Sequence, residues 1–237
     1  MRLPNDARTL KMSEKMIEAV RRWVGNSESW LKGFLADAPN MSSVVSVVAM
    51  GSAVRDRMHR RSDFDLVVLY RCRRPSLKAP MEVDIRMYPL AAAEEQLAGG
   101  HEVLCCAMKF GIALYDPDGA WKSLCAKFGD RVPLPSAADA AKRAEQSLMR
   151  AREMLSVGDD AAADDLILAG ATQLVRERLI KSQVFPASRP ELPGQLRAIS
   201  PHDPLAQVLE DAMYGEFAPS DLLDRIDAIP RVELSLR

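Results

Sequence analysis

Five residues in this sequence have types and spacing that could do chemistry: Gly51 and Ser52, then Asp63 and Asp65, then Asp84. On a strand, residues i and i+2 share a face, so Asp63 and Asp65 aim two carboxylates at one spot while Phe64 and Leu66 take the other side. Two such acids repel each other and shift each other's pKa, and a divalent cation is the natural compensation. Upstream, a glycine lets the backbone approach another group closely, and a serine with the N–H groups of a helix start makes an anion cradle. Each piece alone has a plain explanation, Gly-Ser as a serine-capped solvated helix and Asp-Phe-Asp as an exposed strand end. Asp84 changes the balance. It lies in the alternating run Met81–Tyr88, where Met81, Val83, Ile85 and Met87 share one face and Glu82, Asp84 and Arg86 the other. Laid beside the strand that carries Asp65, this run would supply a third carboxylate.

The elements that must position these residues follow from the pattern around them. Val44–Met50 is short and valine-rich, as a buried strand should be, and Leu66–Tyr70 is a second apolar run. Between them, Ala53 to about Arg60 reads as a helix carrying Arg55, Arg57, Arg60 and Arg61. The basic, proline-broken link Arg71–Lys78 reads most simply as a hairpin loop with a solvated surface. Ahead of the first strand, helices are expected over Ser13–Val24, stopped by Gly25-Asn26, and over about Ser27–Ala36, with Trp30, Leu31 and Leu35 turned to the core. After the third strand come helices over Pro89–Leu97 and Glu102–Lys109, a strand over Gly111–Tyr115, a turn at Asp116–Gly119 and a helix over Trp121–Phe128. Pro133 and Pro135 mark a boundary. Beyond it the periodicity is helical only: Ser136 to about Val157, then Asp160–Gln183 with a stripe of Leu166, Ile167, Ala169, Gly170, Leu174, Leu179 and Ile180. The short link between these two suggests an antiparallel pair. Pro186–Pro193 reads as a polar link, followed by helices over Leu205–Tyr214 and Ser220–Ile229. The expected fold class is α+β, with a short mixed sheet flanked by helices over residues 1–132 and an all-α helical bundle over residues 136–237.

The bulk numbers exclude several classes. With 48% hydrophobic and 27% charged residues, the 237-residue chain can bury cores and is not a disordered segment. A net charge of -1 argues against a broad phosphate track for nucleic acid and leaves only a local basic groove open. Cys72, Cys105, Cys106 and Cys125, with His59, His101 and His202, lack zinc spacing, so reduced cysteines and a cytoplasmic location are expected. No leader and no apolar run near the length of a membrane span is read, so no membrane partner is expected.

Gly51-Ser52, Asp63-Phe64-Asp65 and Asp84 together, in this strand context, resemble the DNA polymerase β-type nucleotidyltransferase superfamily. The match is carried by residues 43 to 88. The strand ending at Asp116 and the helical second half resemble its stand-alone bacterial and archaeal branch, of the kanamycin, lincosamide and minimal nucleotidyltransferase kinds. The resemblance implies a metal-dependent transfer of a nucleoside monophosphate from an NTP, with ATP the expected donor, to a hydroxyl acceptor, with release of pyrophosphate. Asp63, Asp65 and Asp84 are then the catalytic and metal-binding residues, holding one or two Mg²⁺ ions. Asp84 serves as ligand, as general base or as both. Gly51, Ser52, Arg55 and Arg61 are the nucleotide contacts.

The acceptor stays open between a small molecule such as an antibiotic and a macromolecule. In the antibiotic-modifying relatives the helical domain forms a wall of the acceptor site, and Asp159, Asp160, Asp164 and Asp165 could line it, although acids at a helix start also suit the helix dipole. The competing class is a catalytically silent nucleotide-binding protein or a regulatory module of the toxin–antitoxin kind. Arg197-Ala-Ile-Ser-Pro-His202 fits the R-x4-H pattern of HEPN-type ribonucleases literally, but Ser200-Pro201 breaks the helix that the motif needs. Both a monomer and a homodimer, in which one chain's helices complete the other's site, are compatible with the sequence.

Overall fold

The valine-rich run predicted as a strand forms β1, Val44–Met50, and it sits inside a four-stranded sheet. The computed structural model describes residues 25–55, 57, 63–129 and 131–230, which fall into two compact units dividing between Pro133 and Leu134. The helix expected over Ser13–Val24 lies outside the described residues. Gly25 and Asn26, read from sequence as a helix stop, instead belong to the first turn of α1, Gly25–Asp37.

The sheet continues with β2, Phe64–Tyr70, and β3, Val83–Pro89. Next come α2, Leu90–Ala98, and α3, Glu102–Phe110, then β4, Ile112–Tyr115, and α4, Ala120–Phe128. The spatial order is β3-β2-β1-β4. β1 runs antiparallel to both β2 and β4, while β2 and β3 are parallel, so the sheet is mixed as expected.

The period of two divides its faces. Val47, Ala49, Phe64, Leu66, Val68 and Val83 pack in one cluster with Leu31 and Phe34 of α1, whose Trp30 and Phe34 rings stack at 5.2 Å. α2 packs on β2 and β3, and α3 on β1. A side chain at Gly111 would meet Val48 Cγ1 at 2.8 Å, so the turn from α3 into β4 needs glycine for close packing on β1.

The connection over residues 71–82 corrects the expected hairpin. A parallel pair cannot be closed by a tight turn and needs a crossover of about a dozen residues, which this link supplies without a helix. Trp30 Nε1 donates to the Lys78 carbonyl at 2.7 Å and Leu77 packs against the sheet core, so the crossover is pinned to α1. Met81, expected on the buried face, is 96% exposed because the strand begins only at Val83.

The described elements of the second unit are all helices. α5, Ala137–Ser156, is capped by Ser136, whose Oγ accepts from Asp139 N at 3.1 Å. α6, Asp160–Lys181, is capped by Asp159, which accepts from Ala162 N at 3.0 Å, so this acid serves the helix end. α6 is buried on more than the one stripe expected. Ile167, Leu168, Gly170, Ala171 and Thr172 are all buried, while Leu166, Ala169 and Leu174 are only partly so. It is the central helix of a core that gathers α7, Leu192–Ile199, α8, Pro204–Tyr214, and α9, Pro219–Asp227.

α7 was not anticipated, because Pro190 and Pro193 read as a link. Pro193 stands in the first turn, where its missing N–H costs nothing. The R-x4-H pattern does not lie on one helix: α7 ends at Ile199, and Arg197 is engaged by Glu210, with Nη2 donating to Oε2 at 2.6 Å.

Candidate active site

β1 delivers the chain to Gly51 at the sheet end where Met50 pairs with Asp65. Gly51 has φ +77°, the left-handed region that glycine alone enters without penalty. A Cβ there would stand 3.0 Å from Asp65 Cγ and nearer still to Oδ2, so the carboxylate occupies the space a side chain would take. Ser52 is buried, and its carbonyl accepts from the Arg55 N–H at 3.2 Å and the Arg57 N–H at 3.0 Å. The result is a 3₁₀ turn over Ala53–Arg55, and most of the rest of the helix expected to about Arg60 lies outside the described residues. Arg55 lays its guanidinium 4.4 Å from the centre of the Phe110 ring, a cation–π contact that ties the turn to the last residue of α3. Arg60 and Arg61 lie outside the described residues.

The parallel pairing of β2 with β3 puts Asp65 directly beside Asp84 in register. A hairpin would have carried Asp84 toward Tyr70, at the far end of β2, so the crossover is what brings the two acids to one sheet end. Asp63 is exposed one residue before β2, and the Phe64 N–H donates to the Glu82 carbonyl at 2.8 Å, which locks the entry of β2 against β3. Phe64 itself is buried in the core on the opposite face, as the alternation requires.

The residue that sequence reading did not single out is Arg86. Its Nε and Nη2 both donate to Asp84 Oδ2, at 2.8 and 2.6 Å, from two positions along the same face of β3. The hydrogen bond to Asp84 raises the Arg86 guanidinium above its ordinary value, helped by the charges of Asp84, Tyr88 and Asp65 and opposed by burial. The signal was present in the alternation, which places Asp84 and Arg86 side by side on one face. Tyr88, next on that face, meets His101 edge-on at 5.1 Å, and burial raises its phenol. Behind Asp65, the buried Cys106 thiol is pushed up to about 12 by burial first, then by Cys105 and Asp65.

The three expected acids therefore share a sheet end, with Asp65 and Asp84 in register and Asp63 at the strand entrance. They are not drawn into a closed ligand set: among the described residues no three His, Cys, Asp or Glu side chains form a group that could hold a metal ion. The donor chemistry fits a hard divalent cation, since all three are carboxylates, and the glycine at 51 makes room for the Asp65 carboxylate at this sheet end. Arg86 holds the position beside Asp84 that such a cation would compete for. A cleft of about 750 Å³ between α2 and α4, lined by Arg71, Leu90, Glu94 and Lys127, does not include the acids.

Residues 29–101 match the family model described as the nucleotidyltransferase domain. The matched stretch, which is similar to nucleotidyltransferase domains, runs from within α1 through β1, the Gly51 turn, β2 and β3 to the end of α2. Among solved structures, a nucleotidyltransferase-like protein from Exiguobacterium sibiricum 255-15 is similar at 12% identity and a TM-score of 0.40, over 89% of this chain and 71% of that one. No curated protein matches the sequence. Among the described residues, no helix is long and apolar enough to cross a membrane.

Proposed function

We propose that this chain is a nucleotidyltransferase in activity as well as in domain type, moving a nucleoside monophosphate from an NTP, with ATP the expected donor, to a hydroxyl acceptor. The observation that carries the reading is the register of Asp65 with Asp84, with Asp63 at the same sheet end and Gly51 pressed on the Asp65 carboxylate. Asp63 and Asp65 would hold Mg²⁺, with Asp84 as a further ligand. Bound there, a divalent cation supplies neutralising charge to the phosphates during in-line displacement. Gly51 and Ser52 would offer backbone N–H groups to the terminal phosphates and orient pyrophosphate for departure. Asp84 would serve as this ligand, as the base that takes the proton of an attacking hydroxyl, or as both, and Arg55 and Arg61 remain the candidate cationic contacts to phosphate.

The test is label transfer. An α-labelled NTP with Mg²⁺ should pass label to an acceptor drawn from a panel of aminoglycosides, lincosamides, tRNA and purified protein. Asp63→Asn and Asp65→Asn should each lower the rate by at least about a hundredfold, the order expected when a preorganised charge at a transition state is removed. A second reading, nucleotide binding without turnover, draws on the Asp84–Arg86 ion pair, which engages the third acid. It predicts nucleotide binding by calorimetry with no transfer to any acceptor, and the two aspartate variants would then leave that silence unchanged.

A further inference from the structure

We infer that Arg86 is a built-in counter-ion of the metal site, a positioning residue that holds Asp84 when no divalent cation is bound and must release it for the cation to gain its third carboxylate. The inference rests on the proposed metal site and adds to it a residue whose role is competition.

Asp84 lies on β3, with Asp65 as its lateral neighbour on β2 and, among the described residues, no strand on its other side. Arg86 folds back along β3 so that Nε and Nη2 converge on a single oxygen, Asp84 Oδ2. This is not the usual fork, in which two nitrogens address two oxygens. A cation that takes Oδ2 must displace both donors, and a cation at the other oxygen would still meet the repulsion of the adjacent guanidinium.

The pair is also poised to open. Arg86 is 56% exposed at its side chain and Asp84 33%, so the guanidinium can swing into water at little desolvation cost. Asp84 is in register with Asp65, so the guanidinium bonded to Asp84 stands beside a pair of acids. A single positive side chain thus offsets the repulsion that two in-register carboxylates would otherwise impose on the β2–β3 pairing.

The experiment uses the full chain and Mn²⁺ alone as the probe, with affinity read by calorimetry and by the loss of the free-ion paramagnetic resonance signal. Arg86→Gln should bind Mn²⁺ roughly twofold to fivefold more tightly than the wild type, the range of a partly exposed ion pair. Removing a positive charge could tighten binding through the general field, so the decisive comparison is made in an Asp84→Asn background. There Arg86→Gln should leave the affinity unchanged, because the competed oxygen is altered. Arg86→Lys keeps the charge and loses the converging donors, and should lie between wild type and Arg86→Gln.

Equal tightening in both backgrounds overturns the competition and reduces Arg86 to a distant charge. Wild-type Mn²⁺ binding that is lost in Asp65→Asn yet unmoved by Arg86→Gln overturns this inference and leaves the metal site standing. No Mn²⁺ binding by either wild type or Arg86→Gln overturns both.

Discussion

The missing side chain of Gly51 and the carboxylate of Asp65 share one space: a Cβ at Gly51 would stand 3.0 Å from Asp65 Cγ, and closer to Oδ2. Two penalties should therefore meet in Gly51→Ala, the steric one and the cost of a left-handed backbone for an L-residue. We expect Gly51→Ala to lose about 1–3 kcal/mol in urea unfolding. In an Asp65→Ala background only the backbone part should remain, about 1–2 kcal/mol. A cycle in which the two substitutions are additive would show that the carboxylate does not press on the turn.

This relationship also shows where sequence reading reaches and where it stops. The Gly-Ser turn, the i and i+2 acids and the alternating third strand were legible because each is a local pattern of residue types. The direction of β3 was not, because the link over residues 71–82 has the composition of a hairpin loop or a crossover alike. The expected hairpin would have separated Asp84 from Asp65, and only the long-range core contacts of Trp30 and Leu77 decide for the crossover. α7 was hidden for another reason: proline reads as a breaker unless its place in the first turn is known. Arg86 was visible on the correct face but carried no meaning until its donors were seen on Asp84. Arg61 lies outside the described residues, so the nucleotide contact expected of it stays a proposal.

At the other end of the sheet, Asp116 joins three partners. Its Oδ1 accepts from the Trp121 N–H at 3.0 Å and from Ser46 Oγ at 2.5 Å, and Oδ2 accepts from the Lys122 N–H at 3.0 Å. Ser46 is fully buried, so its hydroxyl depends on this acceptor. Asp116→Ala should cost about 2–3 kcal/mol, combining a lost helix cap with a stranded hydroxyl. Ser46→Ala should cost about 1 kcal/mol, because Asp116 keeps its two backbone donors. Urea midpoints should rank wild type, Ser46→Ala, Asp116→Ala, and the reverse order for the two variants would refute the cap.

Burial pushes the Cys105 and Cys125 thiols up to about 11, and Cys106 to about 12. The folded state keeps them neutral and the unfolded chain does not, so their contribution to stability is present below the unfolded thiol value near pH 9. It is lost as pH rises from there through the folded values, because the unfolded chain then binds fewer protons. Stability measured by urea should fall between pH 9 and pH 11, and Cys106→Ala should flatten part of that slope. At pH 8 a disulfide reagent should modify the exposed Cys72 quickly and the other three slowly, with all four reacting once the chain is unfolded.

Gly170 lies in the middle of α6, where helix propensity alone favours alanine by about 1 kcal/mol. A Cβ there would, however, stand 2.7 Å from both Cγ and Cδ2 of Leu148 on α5, and 3.5 Å from the Ala144 carbonyl. Overpacking of that kind costs about 1–3 kcal/mol, so Gly170→Ala should be neutral to destabilising despite the better helix former. Leu148→Ala opens the same contact from the other side and should cost about 2–5 kcal/mol alone. The two changes together should cost less than their sum, because the alanine methyl at 170 moves into space that Leu148 vacates. A double-mutant cycle reads this coupling directly. Strict additivity would mean that α5 and α6 do not meet at this pair, whereas rescue would fix the glycine as the residue that sets how closely the two long helices approach.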